Sequence, residues 1–210
     1  MKITAANRTK RGNIALSVDG EYVCSVQESA WLDSGLSVDD ETDEETLNRL
    51  LTASQYASAK RKALNMLSAR SYTEKQLTDR LARTHSRDTA ADAVDRMVEL
   101  GLVNDRDYAL RFAEELSQVR HYAPRRIRWE MTKRGLSRED IDAALETLAD
   151  TDELGDAIAI LERKYKILTT DADIRRAAAL LERYGYSGET IREAIHAVRR
   201  SEREDTFDEY

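Results

Sequence analysis

Between Arg120 and Arg134 the chain gathers six cations, Arg120, Arg125, Arg126, Arg128, Lys133 and Arg134, against one acid, Glu130, a net charge of +5 in fifteen residues. Guanidinium groups at this density suit bidentate recognition of phosphate or carboxylate oxygens. Pro124 opens the run, and a proline is tolerated in the first turn of a helix because its missing N–H would have no partner there. Ile127 and Met131, four apart, mark the face turned to a core. Arg125, Arg126 and Arg128 then project outward, with Lys133 and Arg134 near the C-terminal end. The same residues also fit a solvated basic face, paired with Glu114, Glu115 or Glu130 and stabilising by about 0.2–0.5 kcal/mol per pair. Trp129 on this helix suits either a core anchor or an exposed contact, and the core is the expectation.

No second cluster offers chemistry. Neither GxGxxG nor GxxxxGK[ST] occurs, so the common phosphate loops of nucleotide enzymes are missing. His85, His121 and His196 are far apart and lack further ligands at metal spacing, so they read as surface residues. The single cysteine, Cys24, falls in a predicted strand without a neighbouring histidine or helix start and reads as a small hydrophobe. The carboxylates cluster in solvated runs rather than in apolar surroundings that would raise a pKa for acid catalysis. Asn104-Asp105-Arg106-Asp107-Tyr108-Ala109 is conspicuous, but a side-chain oxygen of Asn104 or Asp105 capping the next helix, with Tyr108 and Phe112 packing inward, accounts for it. Ser68 and Arg70 read similarly as helix-end residues. The expectation is a protein with no catalytic residues, no metal site and no cofactor.

The elements that position the basic run follow from composition and pattern. The 210 residues include only one proline and eight glycines, with 35% charged and 6% aromatic, which suits a helical protein better than a sheet-rich one. No stretch approaches the roughly 18 consecutive apolar residues of a membrane span, and Met1-Lys2-Ile3-Thr4 is followed by no apolar segment, so a cytoplasmic protein is expected. One cysteine allows no internal disulfide, which fits a reducing compartment. The net charge of −7 is uneven: residues 39–45 carry −6, the last ten carry −4, and the remaining body is left at +3.

Asn13–Val18 and Glu21–Val26 alternate at period two around Asp19-Gly20, a strong hairpin signal because a type I′ turn needs positive φ at both central positions. Lys2 to Thr9 offers a third strand. So small an element is expected either to be a mobile appendage or to lean on the helices. The acidic run at 39–45 serves as a connector or opens the following helix. From about 46 to 200 the apolar residues recur at helical spacing. Gly101, Gly135 and Gly185 mark helix ends, and Thr73, Asn104 or Asp105, Ser137 and Ser187 mark starts.

The helices repeat. Leu77, Ile127 and Ala177 fall fifty apart, as do Leu81, Met131 and Leu181. Capped third helices follow at Ser86, Ser137 and Ser187, with apolar faces at Ala93, Val94 and Met97, at Ala144, Leu145 and Leu148, and at Ala194, Ile195 and Val198. First helices are expected around Ala57–Arg70, Asp105–Arg120 and Glu153–Tyr165. The fold class is therefore all-α, an elongated array of three tandem three-helix repeats with a small N-terminal β-hairpin. The expected boundaries are 1–38 for the hairpin extension, 39–55 for the acidic connector and helix start, 56–101, 102–150 and 151–200 for the repeats, and 201–210 for an acidic tail.

Three stretches carry a family likeness. Ala63-Leu64-x-x-Leu67-Ser68-x-Arg70-x-Tyr72-Thr73-x-x-Gln76-Leu77 resembles the opening signature of the RecX family, the bacterial regulators of the RecA recombinase. Leu102-Val103-Asn104-Asp105-x-x-Tyr108-Ala109 is similar to its central motif. Arg126-Ile127-x-x-Glu130-Met131-x-x-Arg134-Gly135-Leu136-Ser137-x-Glu139-x-Ile141-x-x-Ala144-Leu145 is similar to its basic helix and the helix after it. The likeness spans about residues 56–200, and tandem three-helix repeats are the family's architecture. Where the family tends to have glycine before the proline of the basic helix, this chain has Ala123. The resemblance implies a non-enzymatic modulator that binds the RecA filament on single-stranded DNA, lies along its groove, and limits growth, ATP hydrolysis and strand exchange. The basic helix would then face either DNA phosphates or acidic patches on RecA. Two other functions fit the same residues: direct binding of single-stranded or duplex DNA, which would weaken steeply with salt, and a helical scaffold for an unrelated protein. A monomer is expected, because no heptad seam is sustained.

Overall fold

The computed structural model describes residues 1–149, 151–165 and 168–205, with side chains through residue 200. Within them the chain forms two compact units, Met1–Asn104 and Asp105–Tyr210.

In the first unit, β1 (Ile3–Arg8), β2 (Asn13–Val18) and β3 (Glu21–Gln27) form an antiparallel meander in the order β1-β2-β3. Asp19 (φ 50°) and Gly20 (φ 87°) supply the two positive φ values that the tight turn requires. The turn is tied down from β1: the Lys2 N–H donates to Asp19 Oδ1 at 2.7 Å and the Gly20 N–H to Thr4 Oγ1 at 3.0 Å. The acidic run is no loose connector. The Ile3 N–H donates to the Asp40 carbonyl at 3.0 Å, the Asp39 N–H to the Ile3 carbonyl at 2.8 Å and the Thr42 N–H to the Met1 carbonyl at 2.8 Å. Residues 39–42 thus pair with the chain at the start of β1, satisfying both backbone groups of Ile3 on the outer edge. Asp43 then caps the next helix by accepting the Thr46 N–H at 2.7 Å.

The sheet leans on helices. Ile14, Leu16 and Val26 pack with Ala30 of α1 (Glu28–Asp33) and Leu50 of α2 (Glu44–Leu67). The Gln27 N–H donates to Oγ of the buried Ser54 on α2 at 2.7 Å. The helix expected from Ala57 starts at Glu44, because Asp43 caps it, Glu44 and Glu45 favour its positive end, and its first half has the sheet to cover. Leu50 serves the sheet's core, whereas Ala59 and Ala63 serve the core of the first repeat. A helix that faces two cores shows no single apolar stripe.

The repeat register is met throughout. The second helices are α3 (Glu74–Leu81), then α6 (Pro124–Lys133) after α5 (Asp105–Gln118), and α9 (Asp171–Tyr184) after α8 (Glu153–Lys164). The third helices are α4 (Arg87–Glu99), α7 (Arg138–Glu146) and α10 (Gly188–Asp205). Leu77, Ile127 and Ala177, and likewise Leu81, Met131 and Leu181, are each fully buried. Ser86, Ser137 and Ser187 accept the N–H groups of Thr89, Asp140 and Thr190 at 3.2, 3.0 and 3.0 Å. Thr73 opens α3 with a complete capping box closed by Gln76. Gly101, Gly135 and Gly185 all have positive φ, and the next residue donates back to the carbonyl five before it, as for Tyr186 to Leu181 at 3.2 Å. Among the described residues no helix is long and apolar enough to cross a membrane. Of the expected acidic tail, 201–205 continue α10 as backbone helix, while 206–210 and the side chains of 201–205 lie outside the description.

Candidate functional site

The basic helix α6 is seated by what precedes it. Ala123, at its N-cap, is buried in the core of the third repeat, and its N–H donates to the Tyr184 carbonyl at 3.0 Å. The Tyr186 hydroxyl donates to the His121 carbonyl at 3.0 Å. Burial, and then the nearby carboxylates Asp156 and Glu153, push this phenol well above its ordinary range, so it remains a donor. Tyr122 and Tyr184 meet edge to face with centroids 5.3 Å apart, and His121 Nδ1 lies 3.3 Å from Asp156 Oδ1. Gly185 closes the joint: a Cβ there would sit 2.6 Å from both the backbone nitrogen and the Cβ of Arg126.

The six cations of the run divide. Arg126 is half-buried: it donates to Glu130 at 2.7 Å and lies over the Trp129 ring at 4.4 Å and the Tyr122 ring at 5.5 Å. Its Nε is buried without a partner. Arg134 reaches Glu130 at 4.0 Å and covers the Phe112 ring at 3.7 Å. Arg128 donates to Asp142 on α7 at 2.5 Å. These three arginines help hold the repeat together. Arg120, Arg125 and Lys133 are exposed and form no ion pair among the described residues, Lys133 lying 5.0 Å from the Trp129 ring centroid. The internal pairing foreseen with Glu130 is present for Arg126 and Arg134, and Arg128 takes Asp142 instead of Glu114 or Glu115.

Trp129 corrects an expectation. It is 50% exposed rather than part of the core. Ile127 and Met131 are fully buried, and a residue midway between two such neighbours points away from the face they define. That spacing was visible in the sequence, and it identifies an exposed indole flanked by Arg126 and Lys133, an arrangement that offers a π-face beside positive charge.

Asp142 gives this surface a titration signature. The hydrogen bond from Arg128, assisted by the charges of Arg128 and Arg138, holds its carboxyl below the usual 3.8. Because folding favours the ionised form, the associated stabilisation is complete above the ordinary carboxyl range and is lost as pH falls through the lowered value. Arg128→Gln is expected to return Asp142 toward 3.8 in a carboxyl-carbon NMR titration, and an unmoved curve would mean that the pair does not form in solution.

The remaining polar groups stay apart. Among the described residues no three of histidine, cysteine, aspartate and glutamate are grouped to hold a metal. Burial pushes the Cys24 thiol up, away from a reactive thiolate. His85 Nε2 is 3.1 Å from Ser58 Oγ, within the first repeat.

Fold and site together define a tandem three-helix-repeat protein whose second repeat presents a cationic helix with an exposed tryptophan. Residues 59–97 match the family model of the first three-helix domain of RecX, and residues 104–145 match that of the second. The regulatory protein RecX of Caldanaerobacter subterraneus subsp. tengcongensis is 29% identical over 190 residues, covering 90% of this chain and 95% of that one. That of Lactobacillus delbrueckii subsp. bulgaricus is 31% identical over 192 residues, covering 89% and 70%. That of Trichlorobacter lovleyi is 34% identical over 137 residues, covering 62% and 89%. A crystal structure of regulatory protein RecX shares the fold at a TM-score of 0.69 and 22% identity, covering 95% of this chain and 98% of that one. The chain belongs to the RecX family.

Proposed function

We propose that this protein binds RecA filaments on single-stranded DNA and limits filament growth, ATP hydrolysis and strand exchange, a non-enzymatic modulator of recombination, DNA repair and the SOS response. It would act as a cytoplasmic monomer without a cofactor. Membership of a family whose relatives are named regulatory proteins supports this reading. The observation that carries it is the outward face of α6, where Arg125 and Lys133 form no ion pair among the described residues and flank the exposed Trp129. Long-range attraction steers such a face toward a polyanion, and the uncommitted side chains are free to contact it.

The test is ATP hydrolysis by preformed RecA filaments on single-stranded DNA during titration of this protein. Loss of hydrolysis is expected well below one copy per RecA, as for a factor that blocks growth or promotes disassembly. The Arg125→Gln/Lys133→Gln variant should need several-fold more protein for the same loss while keeping its helical circular dichroism. Undiminished hydrolysis at excess folded protein would overturn the reading. Arg126 is a poor choice for this test, because its substitution also removes the pair with Glu130 and the contacts over the Tyr122 and Trp129 rings.

A further inference from the structure

The fifty-residue register that aligns the buried faces of α3, α6 and α9 also aligns their cations. Positions 75, 125 and 175 are Lys75, Arg125 and Arg175, and positions 83, 133 and 183 are Arg83, Lys133 and Arg183. With 33 lysines and arginines among 210 residues, two such columns within one short helix are not the expected outcome of chance. All six side chains are exposed. Only Lys75 forms an ion pair among the described residues, with Asp79 at 2.6 Å.

Their placement is as regular as their spacing. At about 3.6 residues per turn, both positions lie within about 40° of the line opposite the buried face, and their backbones are about 12 Å apart along the axis. In α6 and α9 both cations lie on the helix itself, whereas Arg83 follows α3 by two residues. Between the two columns, at the middle of the exposed face, stand Asp79, Trp129 and Ala179. Lysine and arginine interchange in both columns, so the repeated property is charge rather than the fork of a guanidinium.

We propose that every repeat carries its own phosphate-contacting cation pair on or just past its second helix, Lys75 with Arg83, Arg125 with Lys133 and Arg175 with Arg183, and that each pair takes the backbone of single-stranded nucleic acid. A cation pair that keeps its charge while lysine and arginine interchange suits a ligand that offers the same anion at every unit, as the phosphates of a nucleic-acid strand do. Trp129 adds a half-exposed indole with Arg126 and Lys133 over its ring, a place where a base would stack by displacing one of those side chains. The three pairs are graded: Trp129 makes the second strongest, and Asp79, already holding Lys75, makes the first weakest. This deepens the filament reading by naming phosphate as what the basic helix meets and by extending the contact to α3 and α9.

The experiment is fluorescence anisotropy of labelled oligo(dT) titrated with the full chain, without RecA, over a series of salt concentrations. Each phosphate neutralised contributes about 0.7 to the slope of log affinity against log salt for a single strand. Arg125→Gln/Lys133→Gln and Arg175→Gln/Arg183→Gln are each expected to reduce that slope by about 1.4, and Lys75→Gln/Arg83→Gln by less. Arg61→Gln/Arg106→Gln removes the same charge from exposed positions outside the columns and should leave the slope in place. The proposal is overturned if the α9 pair leaves the slope unchanged, if the control pair lowers it equally, or if the unaltered chain does not bind oligo(dT) at low salt. The RecA assay reports separately: filament inhibition with flat slopes removes the repeated contact and leaves the filament reading, and intact slopes without inhibition do the reverse. Loss of inhibition in the α9 variant with no change on oligo(dT) would assign α9 to an acidic protein surface and likewise overturn the proposal.

Discussion

Replacing Gly185 with alanine is expected to destabilise the second unit by about 3 kcal/mol or more, among the larger effects of a single substitution. Two costs combine. At φ 96° the backbone lies beyond the left-handed region that side chains tolerate, and the new Cβ would sit 2.6 Å from the Arg126 nitrogen and Cβ. The nearest contacts are backbone and the root of a side chain, so no flexible tip can swing aside. Relief requires that α6 separate from the end of α9, which would break the Ala123 to Tyr184 and Tyr186 to His121 hydrogen bonds. Urea unfolding followed by circular dichroism measures the loss, and Trp129 emission should shift as Arg126 leaves its ring. An unchanged midpoint would mean that the joint is open in solution.

Met131→Ala carries the second large effect, about 2–5 kcal/mol, from lost burial and the cavity left beneath α6. Met131 is fully buried, and its carbonyl accepts the N–H groups of both Arg134 and Leu136. On the same helix, Arg125→Gln/Lys133→Gln should leave the unfolding midpoint nearly in place, because both side chains are exposed and form no ion pair. The two variants therefore separate what the helix needs to fold from what it presents. A Met131→Ala protein as stable as the parent would show that the repeat core collapses around the gap.

Much of this was legible in the chain because its signals are local. Asp19-Gly20 between alternating strands specifies a turn by itself, and the fifty-residue recurrence of Leu77, Ile127 and Ala177 marks the buried faces without any tertiary knowledge. The long start of α2 was hidden, since Leu50 and Ala59 answer to different cores and no single stripe runs through them. Residues 39–42 looked like a linker because backbone groups, which every sequence has, make their bonds to β1. Of the site, the cations were plain, but their division into structural and available ones was not. Glu130 lies one turn from Arg126, whereas Asp142 is fourteen residues from Arg128 and Tyr184 is more than fifty from Ala123. Only folding brings those groups together. Trp129 misleads for a different reason: its size suits a core anchor, while its position between the buried Ile127 and Met131 turns it outward.

The double duty of α2 also bears on inheritance. Leu47 and Leu50 near its start and Ala59 and Ala63 near its end are all buried, on one continuous helix of 24 residues. No seam within Glu44–Leu67 would let the sheet and the first repeat be exchanged separately without leaving an apolar half-face bare. The two must travel through evolution as one block, and a library of shuffled relatives should yield soluble proteins when crossovers avoid this helix and few when they fall inside it.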